Sequence, residues 1–241
     1  MERIKFVITL LLIELSSYSF GQQSDCKTVL LECISSMSSI KTVEPGKVYF
    51  IDMSIHSDLK RPNPAIPTSV NVKTYMTSSQ ISVETNKMVI YYDEYDSFSI
   101  IPESKTIIWS NGGKVKDQAS RALNLENMQK DVVQKSNIKG CSNNRFNNKD
   151  VKSIVLDLPA DITKTTKVES IEFTIDINDK RIVKVNSKFS SSNDISSQEI
   201  IYNELDYNYK KWKPLPVKER VFKNNKLLPQ FNGYRLINNK K

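Results

Sequence analysis

Ser170-Ile171-Glu172-Phe173-Thr174-Ile175-Asp176-Ile177-Asn178-Asp179 decides the fold class. Ile171, Phe173, Ile175 and Ile177 alternate with Ser170, Glu172, Thr174 and Asp176, the two-residue period of a strand with one face in a core and the other in water. Asn178-Asp179 supplies a tight turn, and the pattern resumes from Ile182 to Phe189, so the stretch predicts an antiparallel hairpin. Glu172 and Asp176, with Thr174 between them, read as carboxylates that keep the outer sheet face in water.

The same period recurs upstream. Tyr49, Ile51, Met53 and Ile55 alternate with Phe50, Asp52, Ser54 and His56. A loop with Pro62, Pro64 and Pro67 follows, then short candidate strands at 70–76, 80–84, 88–92, 98–101 and 106–109, spaced as a meander of hairpins. Gly112-Gly113 breaks the pattern. Upstream of the 170–189 hairpin a polar loop runs through Cys141 and Asn143-Asn144; downstream of it, 200–209 and 217–222 read as two more strands and 224–241 fits no element.

Two segments have helical spacing instead. Val29, Leu30, Cys33, Met37 and Ile40 mark an amphipathic helix over 25–40, with Asp25 as cap and Glu44-Pro45-Gly46 as its stop. Val115, Ala119, Ala122, Leu125, Met128 and Val132 mark a second over 115–132. No alternation of strand and helix suggests a parallel sheet.

Arg3 and Lys5 precede an apolar run from Phe6 to Leu15, interrupted only by Glu14, and then the small-residue stretch 16–21. A spanning helix needs roughly 20 apolar residues, and this run is about half that, so 1–21 reads as a signal peptide cleaved after Gly21. Residues 22–241 are then one domain. Cys26 follows Gln23, Ser24 and Asp25, not the small residues that a lipid-attachment site requires. The expected location is the periplasm or the exterior.

Three cysteines in an oxidising compartment leave at least one without an intramolecular partner. If Cys26 and Cys33 share one helix, seven residues at 1.5 Å rise part them by about 10.5 Å, too far for a bridge. An intramolecular bridge would have to involve Cys141. No close Cys pair suggests zinc, and His56 is the sole histidine.

The chain has 39% apolar and 26% charged residues, ordinary for a globular domain. Its net charge of +8 is concentrated: from residue 208 on, ten Lys or Arg face the single acid Glu219. No recognised nucleic-acid motif accompanies this basic segment, 208–241, and a secreted protein rarely meets nucleic acid. Anionic lipid or an acidic partner patch suits it better, with Lys210, Lys211, Trp212 and Lys213 as the contact. A solvated basic edge is the plainer reading. His56 lies on a strand's polar face, where exposure is commoner than catalysis. No G-x-S-x-G elbow, phosphate loop or dinucleotide fingerprint is present, and Asp93-Glu94-Tyr95-Asp96 reads as a solvated hairpin turn rather than a calcium loop.

The segments Val48-Tyr49-Phe50-Ile51-Asp52-Met53, Tyr91-Tyr92-Asp93-Glu94, Phe98-Ser99-Ile100 and Lys105-Thr106-Ile107-Ile108-Trp109, with the late hairpin, resemble the outer-membrane lipoprotein carrier superfamily of LolA-like periplasmic proteins. The resemblance spans most of residues 25–222. It implies an α+β fold in which a curved, mostly antiparallel sheet forms an incomplete barrel. The N-terminal and central helices would pack on its concave apolar face, where acyl chains bind.

On that basis the expected function is non-enzymatic carriage of lipid, lipoprotein acyl chains or another apolar ligand, by a monomer without cofactor. Tyr49, Ile51, Met53, Ile171, Phe173, Ile175, Val183 and Val185 would form the cavity floor, with helix 115–132 as cover. A second reading is an envelope scaffold that docks a membrane or partner through the basic segment. A third is a secreted hydrolase using His56.

Overall fold

The computed structural model describes residues 25–36, 43–64, 66–115 and 130–240. The signal segment, the end of the first helix from Met37 on, and most of helix 115–132 lie outside these residues. The fold is α+β and mostly antiparallel, as the sequence implies. Its strands are β1 (Tyr49–Leu59), β2 (Ser69–Met76), β3 (Gln80–Thr85), β4 (Val89–Asp93), β5 (Asp96–Ile101), β6 (Thr106–Asn111), β7 (Asn137–Phe146), β8 (Lys149–Asp157), β9 (Val168–Asp176), β10 (Arg181–Phe189), β11 (Ile195–Asp206), the short pair β12 (Phe222–Lys223) and β13 (Lys226–Leu227), and β14 (Arg235–Asn238). Twelve are hydrogen-bonded in the order β14-β6-β5-β4-β3-β2-β1-β11-β10-β9-β8-β7, so the order is open at β14 and β7. Described helices are α1 (residues 25–36), α2 (130–135) and α3 (Ala160–Thr166).

The chain groups into two compact units, Met1–Ser39 with Glu126–Ser197 and Ile40–Leu125 with Gln198–Lys241. In the first, β7, β8, β9 and β10 pair antiparallel in sequence order. Register puts Cys141 opposite Ile154, Ile154 opposite Phe173 and Phe173 opposite Val185. Helix α1 lies on that face. Cys26 is bonded to Cys141, Asp25 meets Lys152 at 3.3 Å, and Lys27 donates to the carbonyls of Gln134 and Ser136 at the end of α2. Leu30, Cys33 and Ile34 of α1 and Val133 of α2 are buried, following the helical periodicity.

In the second unit, β1 to β6 form the expected meander, and β11 continues from β1. One row crosses all six strands of the meander: Phe50, Tyr75, Ser82, Tyr91, Phe98 and Trp109 stand opposite one another in turn. The basic C-terminal segment lies along this row. Tyr209 stacks on Phe50 at 4.3 Å, Trp212 on Tyr75 at 5.3 Å, Arg220 sits over Trp212 and Tyr91, and Phe222 meets Phe98 and Trp109. Phe98, Ile100, Ile107, Val217, Val221 and Phe231 form a buried core, with Tyr91, Trp109 and Phe222 packed against it.

Several expectations are corrected. Residues 217–222 are a 3₁₀ turn, Val217–Arg220, leading into the β12–β13 hairpin. The buried pair Val217 and Val221 is four residues apart, a helical spacing, and Asn224 and Asn225 take the left-handed conformations of a tight hairpin turn (φ 52° and 60°). The polar loop through Cys141 is strand β7, an edge strand whose polar composition suits its exposure. Asn147-Asn148 (φ 49° and 61°) turns it into β8. The last long strand begins at Ile195 instead of Ile200 and ends at Asp206 instead of Tyr209. Helix α3 carries no buried residue, so it has no apolar stripe to read. Strand β14, within the unassigned 224–241, pairs parallel with β6. Asp176, read as solvated, is 1% exposed. It accepts from Lys149 Nζ at 2.7 Å and from the amides of Asn178 and Asp179, closing the β9–β10 turn. Burial alone would raise its carboxyl, but these donors hold it below the usual carboxylate range.

Candidate functional site

Strand alternation gives the second unit a face opposite to the aromatic row. It carries Ile51, Met53 and Ile55 of β1, facing Thr74, Val72 and Val70 of β2. Val83 of β3 meets Ile90 of β4, and Ile81 meets Tyr92. Apart from Thr74 these residues are apolar or aromatic, and every one is only half-buried. Ser97 and Ser99 of β5, opposite Tyr92 and Ile90, end the strip. Tyr49 starts the strip and is buried against Tyr207 at 5.4 Å, edge to face.

Strand β11 extends the strip. Asn203 donates to Asp52 and Ser54 on the aromatic-row face, so its neighbour Tyr202 points to the apolar one. Burial pushes the Tyr202 phenol up. Apolar surroundings have that effect because the phenolate is the costly form there. Gln198, on the same side, donates to the buried Ser57 at the strip's border.

The other half of the predicted floor lies in the first unit. Ile171, Phe173 and Ile175 share the face that α1 covers. A β-bulge sets Ile182 opposite Ile175 and leaves Val183 outside the pairing, so period-two counting picks Val183 where the register uses Ile182; Val185 returns opposite Phe173. Between α1 and this face is a cavity of about 330 Å³, lined by Val29, Glu32, Cys33, Ser36, Lys152, Ile175, Asp176, Ile177 and Lys180. Cys33 is the one free cysteine of the chain, and burial, then Glu32, pushes its thiol up, which keeps it a weak nucleophile. The bonded pair is Cys26–Cys141, with Cα atoms 6.5 Å apart, in keeping with the requirement for Cys141.

Of the predicted basic contact, Lys210, Lys211 and Lys213 are exposed, whereas Trp212 is half-buried between Tyr75 and the Arg220 guanidinium at 4.2 Å. Burial lowers the Arg220 pKa, and raises that of Tyr75 to about 12. His56 is exposed on β1. Asp93 caps the β4–β5 turn by accepting from the amides of Tyr95 and Asp96, as a hairpin turn requires. Among the described residues no cluster of His, Cys, Asp and Glu is arranged to hold a metal, and no helix is long and apolar enough to cross a membrane.

The apolar strip was legible only at its first strand: Tyr49, Ile51 and Met53 fall on it, while its continuation over β2, β3, β4 and β11 needed register. No single strand announces a shared face. The signal that could have found it is the repeated period-two run on successive short strands.

No family model matches the chain, and no curated protein matches it. Among solved structures, the chain is similar to the lipoprotein LppX of Mycobacterium tuberculosis, at 9% identity over 78% of this chain and 97% of that one, with a TM-score of 0.47. It is also similar to an uncharacterized conserved protein of Thermus thermophilus, at 8% identity over 85% and 96% with a TM-score of 0.43. A putative outer membrane lipoprotein-sorting protein domain of Vibrio parahaemolyticus matches at 11% identity over 79% and 97%, TM-score 0.31. These are shape-level likenesses.

Proposed function

We propose that the protein is a non-enzymatic carrier or binder of lipid, lipoprotein acyl chains or another apolar ligand. It would act as a monomer in the periplasm or outside the cell, with residues 22–241 as the carrier domain once residues 1–21 are removed. The observation that carries this reading is the apolar strip of the second unit, which runs across β11 and β1 to β4 with side chains left half-exposed. A solvated outer face would alternate with charge there, and a finished core would be buried.

The energetics suit reversible binding. A ligand covering about 500 Å² of apolar surface gains about 12 kcal/mol at about 25 cal/mol per Å². Association and ordering take back about 4 kcal/mol or more. What remains, about 8 kcal/mol, corresponds to micromolar affinity. The cavity beneath α1, at about 330 Å³, is at the small end for a ligand pocket and would hold part of a chain.

Native mass spectrometry of the mature protein, with denaturing extraction of whatever comes off, tests the reading. A lipid-sized adduct is expected. Titration with a fluorescent fatty acid then separates the two surfaces: Val72→Lys, on the strip, should weaken binding at least tenfold, whereas Cys33→Phe should do so only if the cavity holds the chain. A clean apo mass that also refuses added fatty acid would overturn the proposal.

A further inference from the structure

Tyr95 is 72% exposed and Leu215 47%, the two most exposed large hydrophobic residues among those described. Both line one groove of about 590 Å³ in the second unit, with Lys114, Val115, Pro214 and Pro216. We infer that this groove is a docking surface for an anionic lipid bilayer, with Tyr95 and Leu215 entering the headgroup region and lysines of the adjoining basic segment holding the charge.

The two apolar tips are presented rigidly. Tyr95 stands at the β4–β5 turn, which Asp93 caps from inside and which Gly112 and Gly113 brace by donating to the carbonyls of Tyr95 and Asp93. A Cβ on Gly112 would come within 2.1 Å of the Asp93 carbonyl oxygen, so only glycine allows this approach. Leu215 is flanked by two prolines whose fixed φ limits the segment's freedom. Insertion therefore needs little further ordering of the backbone at either tip.

The charge is where an anionic surface needs it. Lys114 and Lys213 are exposed at or next to the groove, and Lys210, Lys211 and Lys218 are exposed within a few residues. Asp93 faces inward to its amides, which leaves Glu94 as the exposed acid of the lining. Each lysine near an anionic membrane strengthens binding about fivefold. An aromatic ring with a polar tip and a leucine beside lysines is the composition of a bilayer interface. Trp212, the expected aromatic contact, is committed to Tyr75 and Arg220 and is not available.

Flotation of the mature protein, residues 22–241, with vesicles of equal phosphatidylglycerol and phosphatidylcholine, and with phosphatidylcholine alone, tests this. Binding to the anionic vesicles alone is expected, weakening as salt is raised. Tyr95→Ser with Leu215→Ser should cut it at least tenfold, as should Lys210→Gln, Lys211→Gln and Lys213→Gln together, with tryptophan emission unchanged as the check on folding. Equal binding to neutral vesicles, no binding, or anionic binding that survives the Tyr95/Leu215 change would overturn the inference. So would self-association abolished by Tyr95→Ser in sedimentation, which would assign the groove to a second copy.

Discussion

In the first unit the sheet face is covered by a helix fastened through the Cys26–Cys141 bond; in the second it is covered by an irregular basic segment lying across a row of aromatic rings. Beneath the first cover lies a cavity of about 330 Å³, although Leu30, Cys33 and Ile34 of α1 are themselves 0–4% exposed. The second cover has no cross-link and is held by stacked rings, by Val217 and Val221 at 0–1% exposure, and by β14 and Lys240 bonded to β6 and Asp96. One cover depends on a single covalent tether, the other on many weaker contacts.

The sharpest way to break this comparison is to remove the tether. Cys26→Ser with Cys141→Ser opens a loop of sequence separation 115 and should destabilise the first unit by about 4–5 kcal/mol. Both tryptophans belong to the second unit. Hydrogen exchange of β7 to β9 should accelerate while the midpoint of tryptophan emission in denaturant stays put; a matching drop in that midpoint would defeat the contrast. Phe98→Ala, at the centre of the aromatic row, should cost the second unit about 3–4 kcal/mol by the same tryptophan assay.

Smaller changes sharpen the picture. Asp176→Asn removes an acceptor of the buried turn in the first unit and should cost about 1–3 kcal/mol at neutral pH. Because its folded pKa lies below the unfolded value of about 3.9, the carboxylate's contribution is complete above that value and is lost as pH falls through the folded one. The substituted protein should therefore lose less stability than the parent on acid titration below pH about 4. Ser82→Ala should have the smallest effect, and in the opposite direction. Its hydroxyl is buried without a partner among the described residues, so removing it should stabilise the second unit by about 0.5–1 kcal/mol in urea unfolding.

What could be read in the sequence divides along physical lines. The β9–β10 hairpin and the meander were legible because one face of each strand is apolar, which is what alternation reports. Strand β7 was not, because an edge strand with Asn143, Asn144 and Arg145 exposed carries no such contrast. Residues 217–222 were misread as strand, and 224–241 fitted no element, because the buried residues Val217, Val221 and Phe231 are anchors spaced by turns rather than by a regular period. Asp176 looked solvated because sequence shows the charge and not the Lys149 that meets it. The β1 portion of the candidate strip was visible in sequence, and the rest required knowing which strands lie beside it. Pairing of Cys141 could be narrowed by helix length, but its choice between Cys26 and Cys33 depends on the side of α1 that faces β7.

Strand β14 has a consequence for how the chain is made. It closes the free side of β6 in a parallel register, from Arg235 against Thr106 to Asn238 against Trp109, and Lys240 fastens it to the buried Asp96 at 2.6 Å. A ribosome releases β6 long before β14 exists, so a nascent chain carries an unsatisfied ladder of amides and carbonyls next to Trp109 throughout that interval. Such an edge invites pairing with a neighbouring chain. Delayed translation downstream of β6 would lengthen that exposure, and a holdase that masks extended segments would be most useful in that interval.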